Sequence, residues 1–354
     1  MGKEVDMTIL TDDIVSVEKL SAEIILEKGY SKVLIVEDDE FLRSLLKGRC
    51  AIESESEITS PELIVAYGGD DVITRAKVLG EKLGLNVVLC PSSLCMSAFI
   101  PYYYSSEPYP VFTRASKVLL ADDILASTRE SVREGFAVAA GLLMEAFDSC
   151  FQDGACDRDA ESAAKLSAFD RYCAGLASIR SCDREAYSTI KDAILGLLPY
   201  VSASSENLAY KLHILNGRED KSDLFACAFA LYSAYVNYEP KTIFFSTDRV
   251  KVLDKCEKYY SSPYLYAECL NAEDYLREKY VADIVAAETK KNLLPFEKLA
   301  HVYRRLYGSG GYELREMSLE KILSLLPVVA ETGMDRTFLK ILYLRSYLDA
   351  FNVF

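Results

Sequence analysis

The sequence predicts an α/β domain over residues 1–126 followed by an all-helical domain over residues 127–354. Three observations carry this. Short apolar runs alternate with amphipathic stretches through the first third of the chain. One of those runs enters a Gly-Gly pair that opens directly into a helix. From about Ser127 onward the apolar residues recur at spacings of three and four and no longer in short blocks.

In the first part, Ile14 to Lys28 has the pattern of an amphipathic helix. Val33 to Val36 reads as a buried strand, followed by the acids Glu37-Asp38-Asp39 and a helix over Glu40 to Lys47. Leu63 to Ala66 is the next strand, Val72 to Leu83 the next helix, and Asn86 to Leu89 a third strand that Pro91 ends. Tyr102 to Tyr109, rich in Tyr, Ser and Pro, reads as a loop, and Val118 to Leu120 as one more strand. A β-α-β-α-β order implies a parallel sheet covered by helices on both faces.

The second part is helical. Val132, Phe136, Ala139, Leu143 and Phe147 fall on one face of a helix over Arg129 to Phe147. Ala160 to Ile179, Arg184 to Leu198, Ser204 to Leu215 and Ser222 to Tyr238 repeat the pattern. Asn216-Gly217, Glu239-Pro240 and Gly308 to Gly311 break the helices. The Tyr-rich stretches Tyr102 to Tyr104 and Tyr259 to Tyr266 read as packing. The cleft expected between two such domains is the default ligand site.

Composition excludes several classes. With 40 basic and 54 acidic side chains the net charge is −14, which argues against nucleic acid or an anionic membrane as a partner. No apolar run approaches the ~18–20 residues of a membrane span, and Met1 to Leu10 lacks a signal-peptide layout. Ten scattered cysteines without a Cys-x-x-Cys pair read as reduced thiols in a cytoplasmic protein. Oligomeric state is open, and a homo-oligomer is compatible with the sequence.

The stretch Pro61 to Lys77, PELIVAYGGDDVITRAK, carries the main functional signal. A strand, Gly68-Gly69 and a helix N-terminus together form a cradle for a pyrophosphate. The next residues are Asp70 and Asp71. Carboxylates there favour the helix but repel a phosphate, and Asp70 also fits the N-cap position. Asp38, in the acidic turn after the preceding strand, stands where such folds bind a ribose; a solvated turn starting a helix is the alternative.

The order of motifs resembles the glycerol-1-phosphate dehydrogenases, within the group that includes glycerol dehydrogenase, iron-dependent alcohol dehydrogenases and dehydroquinate synthase. The family loop runs Gly-Gly-Gly-x-x-Ile-Asp-x-Ala-Lys. Gly68, Gly69, Ile73, Ala76 and Lys77 match it, whereas Asp70 and Thr74 depart from it. Pro91-Ser92-Ser93 resembles the family's strand end, with Ser92 and Ser93 facing a ribose or phosphate. Ser97 falls where the family has a substrate-facing Asp. Leu344 to Asp349 resembles the family's C-terminal ending. The resemblance implies the dehydroquinate synthase-like architecture, with NAD(P) bound, weakly here, by Gly68, Gly69, Asp70, Lys77, Ser92, Ser93 and Asp38.

The family's metal, held by an Asp and two His, polarises the substrate alcohol. The matching positions here carry Val138 (in Gly135 to Val138), Lys211 (in Ser205 to Lys211) and Lys221 (in Lys221 to Ala226). The chain has two histidines: His213 lies near the first of these lysines, and His301 is far along the sequence. No metal is therefore expected, because Zn or Fe needs at least three donors. Two readings of Lys211 and Lys221 stand: solvated surface lysines, or paired ammonium groups that replace the metal's charge and serve as catalytic groups. The sequence then admits two functions. One is a metal-free relative that binds a small anion or a nucleotide without the family hydride transfer. The other is an active NAD(P)-dependent oxidoreductase on a phosphorylated polyol or keto substrate.

Overall fold

A computed structural model describes residues 14–100, 102–104, 110–113, 117–126, 128–150, 160–201, 207–216, 223–237, 291–307, 319–332, 338–339 and 342. The chain divides into two compact units. The first comprises residues 1–105, 109–135 and 182–198; the second comprises 106–108, 136–181 and 199–354.

The first unit is built on a six-stranded parallel sheet: β1 (Ile14–Val17), β2 (Lys32–Ile35), β3 (Ala51–Ser54), β4 (Leu63–Gly68), β5 (Asn86–Pro91) and β8 (Lys117–Ala121). Their spatial order is β1-β8-β5-β4-β2-β3. The chain runs outward from β2 to β3 and then returns to the other side of β2 as β4. That reversal makes the β2–β4 boundary a topological switch point, where open α/β sheets place ligands beyond the strand ends. Alternate side chains divide between the two sheet faces. Val33, Ile35, Leu63, Val65, Val88, Cys90, Leu119 and Ala121 form one buried cluster with Ile25, Leu42 and Leu46 from the helices α1 (Ala22–Ile25) and α2 (Glu40–Leu46). The helix α3 (Asp70–Leu83) packs on β4 and β5 with Ile73 and Ala76 fully buried.

Two readings of this unit are corrected, and one strand is added. Residues 14–17 form an edge strand rather than the start of a helix, because Ile14 to Val17 pair in register with Val118 to Ala121 a hundred residues downstream. The helix after that strand is only Ala22–Ile25. Tyr102–Tyr104 is a strand, β6, which pairs antiparallel with β7 (Pro110–Phe112), and Tyr102 is buried. The aromatic side chains that the sequence places in a loop suit a pleated, half-buried surface. The strand β3 carries a polar pattern that gives no strand signal. Its Glu53 is buried, accepting from Thr59 N at 3.0 Å and pairing with Lys32 at 2.5 Å.

The short α4 (Asp122–Leu125) follows β8. The helix α5 (Arg129–Asp148) runs from the first unit into the second. The helix α7 (Arg184–Leu197) belongs to the first unit, where Lys191 Nζ binds Asp122 at 2.8 Å and Tyr187 donates to the same carboxylate at 2.7 Å. The second unit contains α6 (Ala160–Ser178), α8 (Leu208–Asn216), α9 (Asp223–Val236), α10 (Glu297–Tyr307) and α11 (Leu319–Thr332). Its core is aromatic: Phe225 stacks on Tyr303 at 4.2 Å, and Phe147 meets Phe169 at 5.7 Å.

Candidate functional site

Strand β4 delivers Gly68 to the sheet's carboxyl edge, and Gly69 is the N-cap of α3. A Cβ on Gly68 would lie 2.7 Å from Val72 Cγ2, so this position needs glycine for the helix to start so close to the strand. A Cβ on Gly69 would meet nothing within 4 Å. The loop is thus tight at its first glycine and open at its second, which is the shape a pyrophosphate cradle requires.

Asp70 is the first helical residue, not the N-cap. Its Oδ1 accepts the Ser97 N–H at 3.0 Å, and its carbonyl accepts from Ser97 Oγ at 3.3 Å. The acid that follows Gly68-Gly69 is therefore joined to the segment after β5. Lys77, seven residues further along α3, reaches the same segment. It is 2% exposed, and its Nζ donates to the carbonyls of Ser97, of Ile100 at 2.5 Å and of Tyr102 at 3.4 Å. An ammonium has three N–H groups, and three carbonyls take them. The expectation that Lys77 contacts a cofactor gives way to a structural role. Burial pushes its pKa down from 10.5 to about 8, partly offset by Asp70.

Ser92 lies beside the Gly68-Gly69 loop, since its N–H donates to Gly68 O at 2.8 Å. Ser93 is buried, and its carbonyl accepts from Cys95 N at 2.8 Å. Ser97 is 1% exposed and held by both Asp70 and Lys77. Burial raises the thiol pKa of Cys95, and raises that of Cys90 to about 12, so neither supplies a thiolate at neutral pH.

Beyond β2, the turn Val36–Asp38 carries Glu37 at φ 57° and Asp38 at φ 56°, a left-handed geometry uncommon for non-glycine residues. Glu37 N–H donates to Glu55 Oε1 at 2.9 Å, and Arg75 bridges Glu55 at 2.9 Å and Glu37 at 3.5 Å. Asp38 is ion-paired with Arg43 and half-exposed. Asp39 caps α2 by accepting Leu42 N–H at 2.8 Å. The structure thus brings Gly68, Gly69, Asp70, Ser92 and Ser97 together, with the Glu37–Asp38 turn packed against β4 and α3. Sequence reasoning missed Arg43 and Arg75, the cations that hold this turn. Their only sequence signal is i, i+5 spacing from Asp38 and position one turn into α3.

In the second unit, Val138 is 2% exposed on α5 and Lys211 is 2% exposed on α8. The solvated-surface reading of Lys211 is corrected: its helix starts at Leu208, whose N–H donates to the buried Glu145 at 2.9 Å, and Asn207 Oδ1 caps it through Tyr210 N at 3.1 Å. Asp148 is buried too, accepting from Tyr235 OH at 2.5 Å and Leu339 N at 3.2 Å. The His213 ring lies tilted beside that of Tyr210, with ring centroids 6.2 Å apart. Among the described residues no three His, Cys, Asp or Glu side chains gather as metal donors. Lys221, Tyr259 to Tyr266, Gly308 to Gly311 and Leu344 to Asp349 lie outside the described residues. No helix among the described residues is long and apolar enough to cross a membrane.

No family model and no curated protein matches the chain. Solved structures do, along nearly its whole length. An iron-containing alcohol dehydrogenase of Corynebacterium glutamicum has 14% identity over 97% of this chain and 95% of its own, with a TM-score of 0.53. One from Thermococcus thioreducens has 18% identity over 98% and 99%, with a TM-score of 0.54. The fold is that of the iron-containing alcohol dehydrogenases. A probable glycerol dehydrogenase of Sinorhizobium meliloti matches similarly, at 13% identity over 96% and 97% with a TM-score of 0.52. At these identities the likeness to the iron-containing alcohol dehydrogenases is one of fold, a Rossmann-like sheet unit plus a helical unit. A shared fold does not specify an activity.

Proposed function

We propose that this chain is a glycerol-1-phosphate dehydrogenase-like protein that has lost the family's metal site and binds a nucleotide or another small anion without the family's hydride transfer. One observation carries the reading. Two of the positions matched to metal ligands hold Val138 and Lys211, both 2% exposed. A valine side chain has no lone pair, and an ammonium has none while protonated. These residues do not fit a divalent metal.

A dinucleotide fits better. Gly68, the open Gly69 and the first turn of α3 suit its diphosphate. Asp38 and Glu37, across the switch point, suit a ribose, with Ser92 beside the loop. Such a cofactor, when bound, supplies a hydride donor or acceptor. Without a metal, none of these side chains polarises the substrate alcohol. The negative charge of Asp70 at the head of α3 keeps binding weak.

The test combines elemental analysis with turnover. The purified protein is expected to carry no stoichiometric Zn or Fe. With either metal added it is expected to produce no NAD(P)H from glycerol 1-phosphate, glycerol or simple alcohols, while calorimetry detects weak NAD(P) binding. About one metal per chain, removed by chelator with loss of activity, overturns the proposal.

A further inference from the structure

The helical unit contains a cavity of about 790 Å³ that the proposed function does not use, lined by α6, Arg180 and the stretch from Lys291 through α10. Helical spacing explains its chemistry. On α10, Lys298, His301 and Arg305 recur at three and four residues and share one face. On α6, Ala174 and Ala177 share the facing stripe, and their small side chains leave the room. Cys173 and Val302, almost fully buried, form an apolar floor.

Four permanent cations, Arg180, Lys291, Lys298 and Arg305, line this cavity with one carboxylate, Asp170. All four are solvent-exposed, and among the described residues none is in an ion pair. In a chain of net charge −14 this is a local reversal of sign. A concave surface of one sign concentrates counter-ions of the other. The cations are also spread out: Lys298 and Arg305 stand seven residues apart, about 10 Å along the helix axis. Arg180 and Lys291 add charge from other parts of the wall. One phosphate does not span that distance, whereas a chain of phosphates does. The apolar floor and a volume in the usual range for small-molecule sites accommodate an uncharged body as well.

We propose that this cavity binds a small phosphorylated molecule with at least two linked phosphates, of the nucleoside di- or triphosphate class. The phosphates lie along Lys298, Arg305, Arg180 and Lys291, and the uncharged body lies over Cys173 and Val302. Asp170, the one carboxylate, selects for a hydrogen-bond donor on that body.

The test uses the full chain with ATP and inorganic triphosphate as probes, by calorimetry and thermal shift. The wild type is expected to bind both, with ATP tighter, and to weaken as NaCl rises. The double variant Lys298→Glu/Arg305→Glu is expected to lose at least tenfold in affinity. Lys298→Gln/Arg305→Gln repeats the test with a milder change at the same exposed positions. Asp170→Asn is expected to bind inorganic triphosphate several-fold tighter, by removing the repelling charge. Gly69→Asp, which adds charge at the Gly68-Gly69 loop of the first unit, separates the two sites: the binding that Lys298→Glu/Arg305→Glu removes is expected to persist in it, whatever that loop itself binds. Loss of binding in Gly69→Asp with retention in both cavity variants assigns the ligand to the first unit and overturns this proposal while leaving the proposed function intact. No binding by the wild type, or an equal response to sodium sulfate at matched ionic strength, also overturns it.

Discussion

Asp70 and Lys77 stand two turns apart on one face of α3 and grip a single segment: Asp70 takes the N–H of Ser97, and Lys77 takes the carbonyl of the same residue. Lys77 then continues to the carbonyls of Ile100 and Tyr102. Residues 97–100 are buried but outside the sheet, so their backbone polar groups need partners that strands do not supply. Two charged side chains of α3 provide them. The acid after Gly68-Gly69 thus acquires a structural explanation: α3 also organises the segment beyond β5.

Lys77→Met tests that role. The methionine nearly conserves volume but leaves carbonyls of the 97–102 segment without their donor. Buried unsatisfied polar groups cost about 1–3 kcal/mol each, partly recovered by water, so a total loss of about 2–4 kcal/mol is expected. Urea unfolding followed by circular dichroism measures it. A midpoint unchanged from wild type shows that the three contacts contribute nothing net.

Asp70 separates charge from structure. Asp70→Asn keeps an oxygen for the Ser97 N–H and removes the carboxylate charge at the head of α3. It is expected to bind NAD(P) several-fold more tightly, with a stability change under about 1 kcal/mol. Asp70→Gly removes the acceptor as well and is expected to lose about 1–2 kcal/mol of stability. Calorimetry with NADH and NADPH decides the first part. Equal affinity in wild type and Asp70→Asn means that the loop does not face a phosphate.

Much of the first unit was legible because its signals are local. The run from Leu63 through Gly68-Gly69 into α3 states its structure within twenty residues, and Val33, Asn86 and Val118 mark strands by apolar runs that must be buried on both faces. The missing pieces depend on distant partners. Ile14 to Val17 shares a helical spacing with residues 18–28, and only pairing with Val118 to Ala121 makes it a strand. Ala51–Ser54 contains a glutamate that Lys32, Thr59 and Ser60 make tolerable inside. The site was legible in its glycines and opaque in its charges. The residue type of Lys77 suits a phosphate as well as it suits three carbonyls, and sequence does not reveal which lies within reach. Lys211 is opaque for the same reason, since the buried acid that caps its helix, Glu145, comes from another helix.

Gly135 provides a packing test. A Cβ there would lie 2.7 Å from Leu94 Cδ1 and 2.9 Å from both Leu94 Cβ and Ile190 Cγ2, so α5 meets α7 and the segment after β5 at the glycine's bare face. Gly135→Ala gains helix propensity of about 1 kcal/mol. It overpacks the contact at about 1–3 kcal/mol, and with backbone-near atoms involved the steric cost is expected to exceed the gain. The variant should therefore melt lower than wild type. Adding Leu94→Ala should recover part of the loss relative to Leu94→Ala alone. A higher melting temperature in Gly135→Ala means that the neighbours yield freely.

The burial of Lys77 also fixes the sign of a pH dependence. Its pKa in the folded chain is lowered from 10.5 to about 8. Below pH 8 the amine is charged in both states, and the folded state bears the full penalty of enclosing the charge. Between pH 8 and 10.5 the folded chain releases the proton while the unfolded chain keeps it. Stability rises with pH wherever the unfolded state binds more protons, so the penalty is relieved across this window, by on the order of 3 kcal/mol. Cys90, with its folded pKa raised to about 12, acts in the opposite direction, because the unfolded thiol ionises first as pH climbs past 9. The two effects overlap in the wild type alone. They separate in the difference between wild type and Lys77→Met, in which Cys90 cancels. That difference, from urea unfolding at pH 7, 8, 9 and 10, is expected to grow in favour of the wild type as pH rises. A flat difference means that Lys77 keeps its proton throughout, stabilised by its three carbonyls and Asp70 more strongly than burial opposes it.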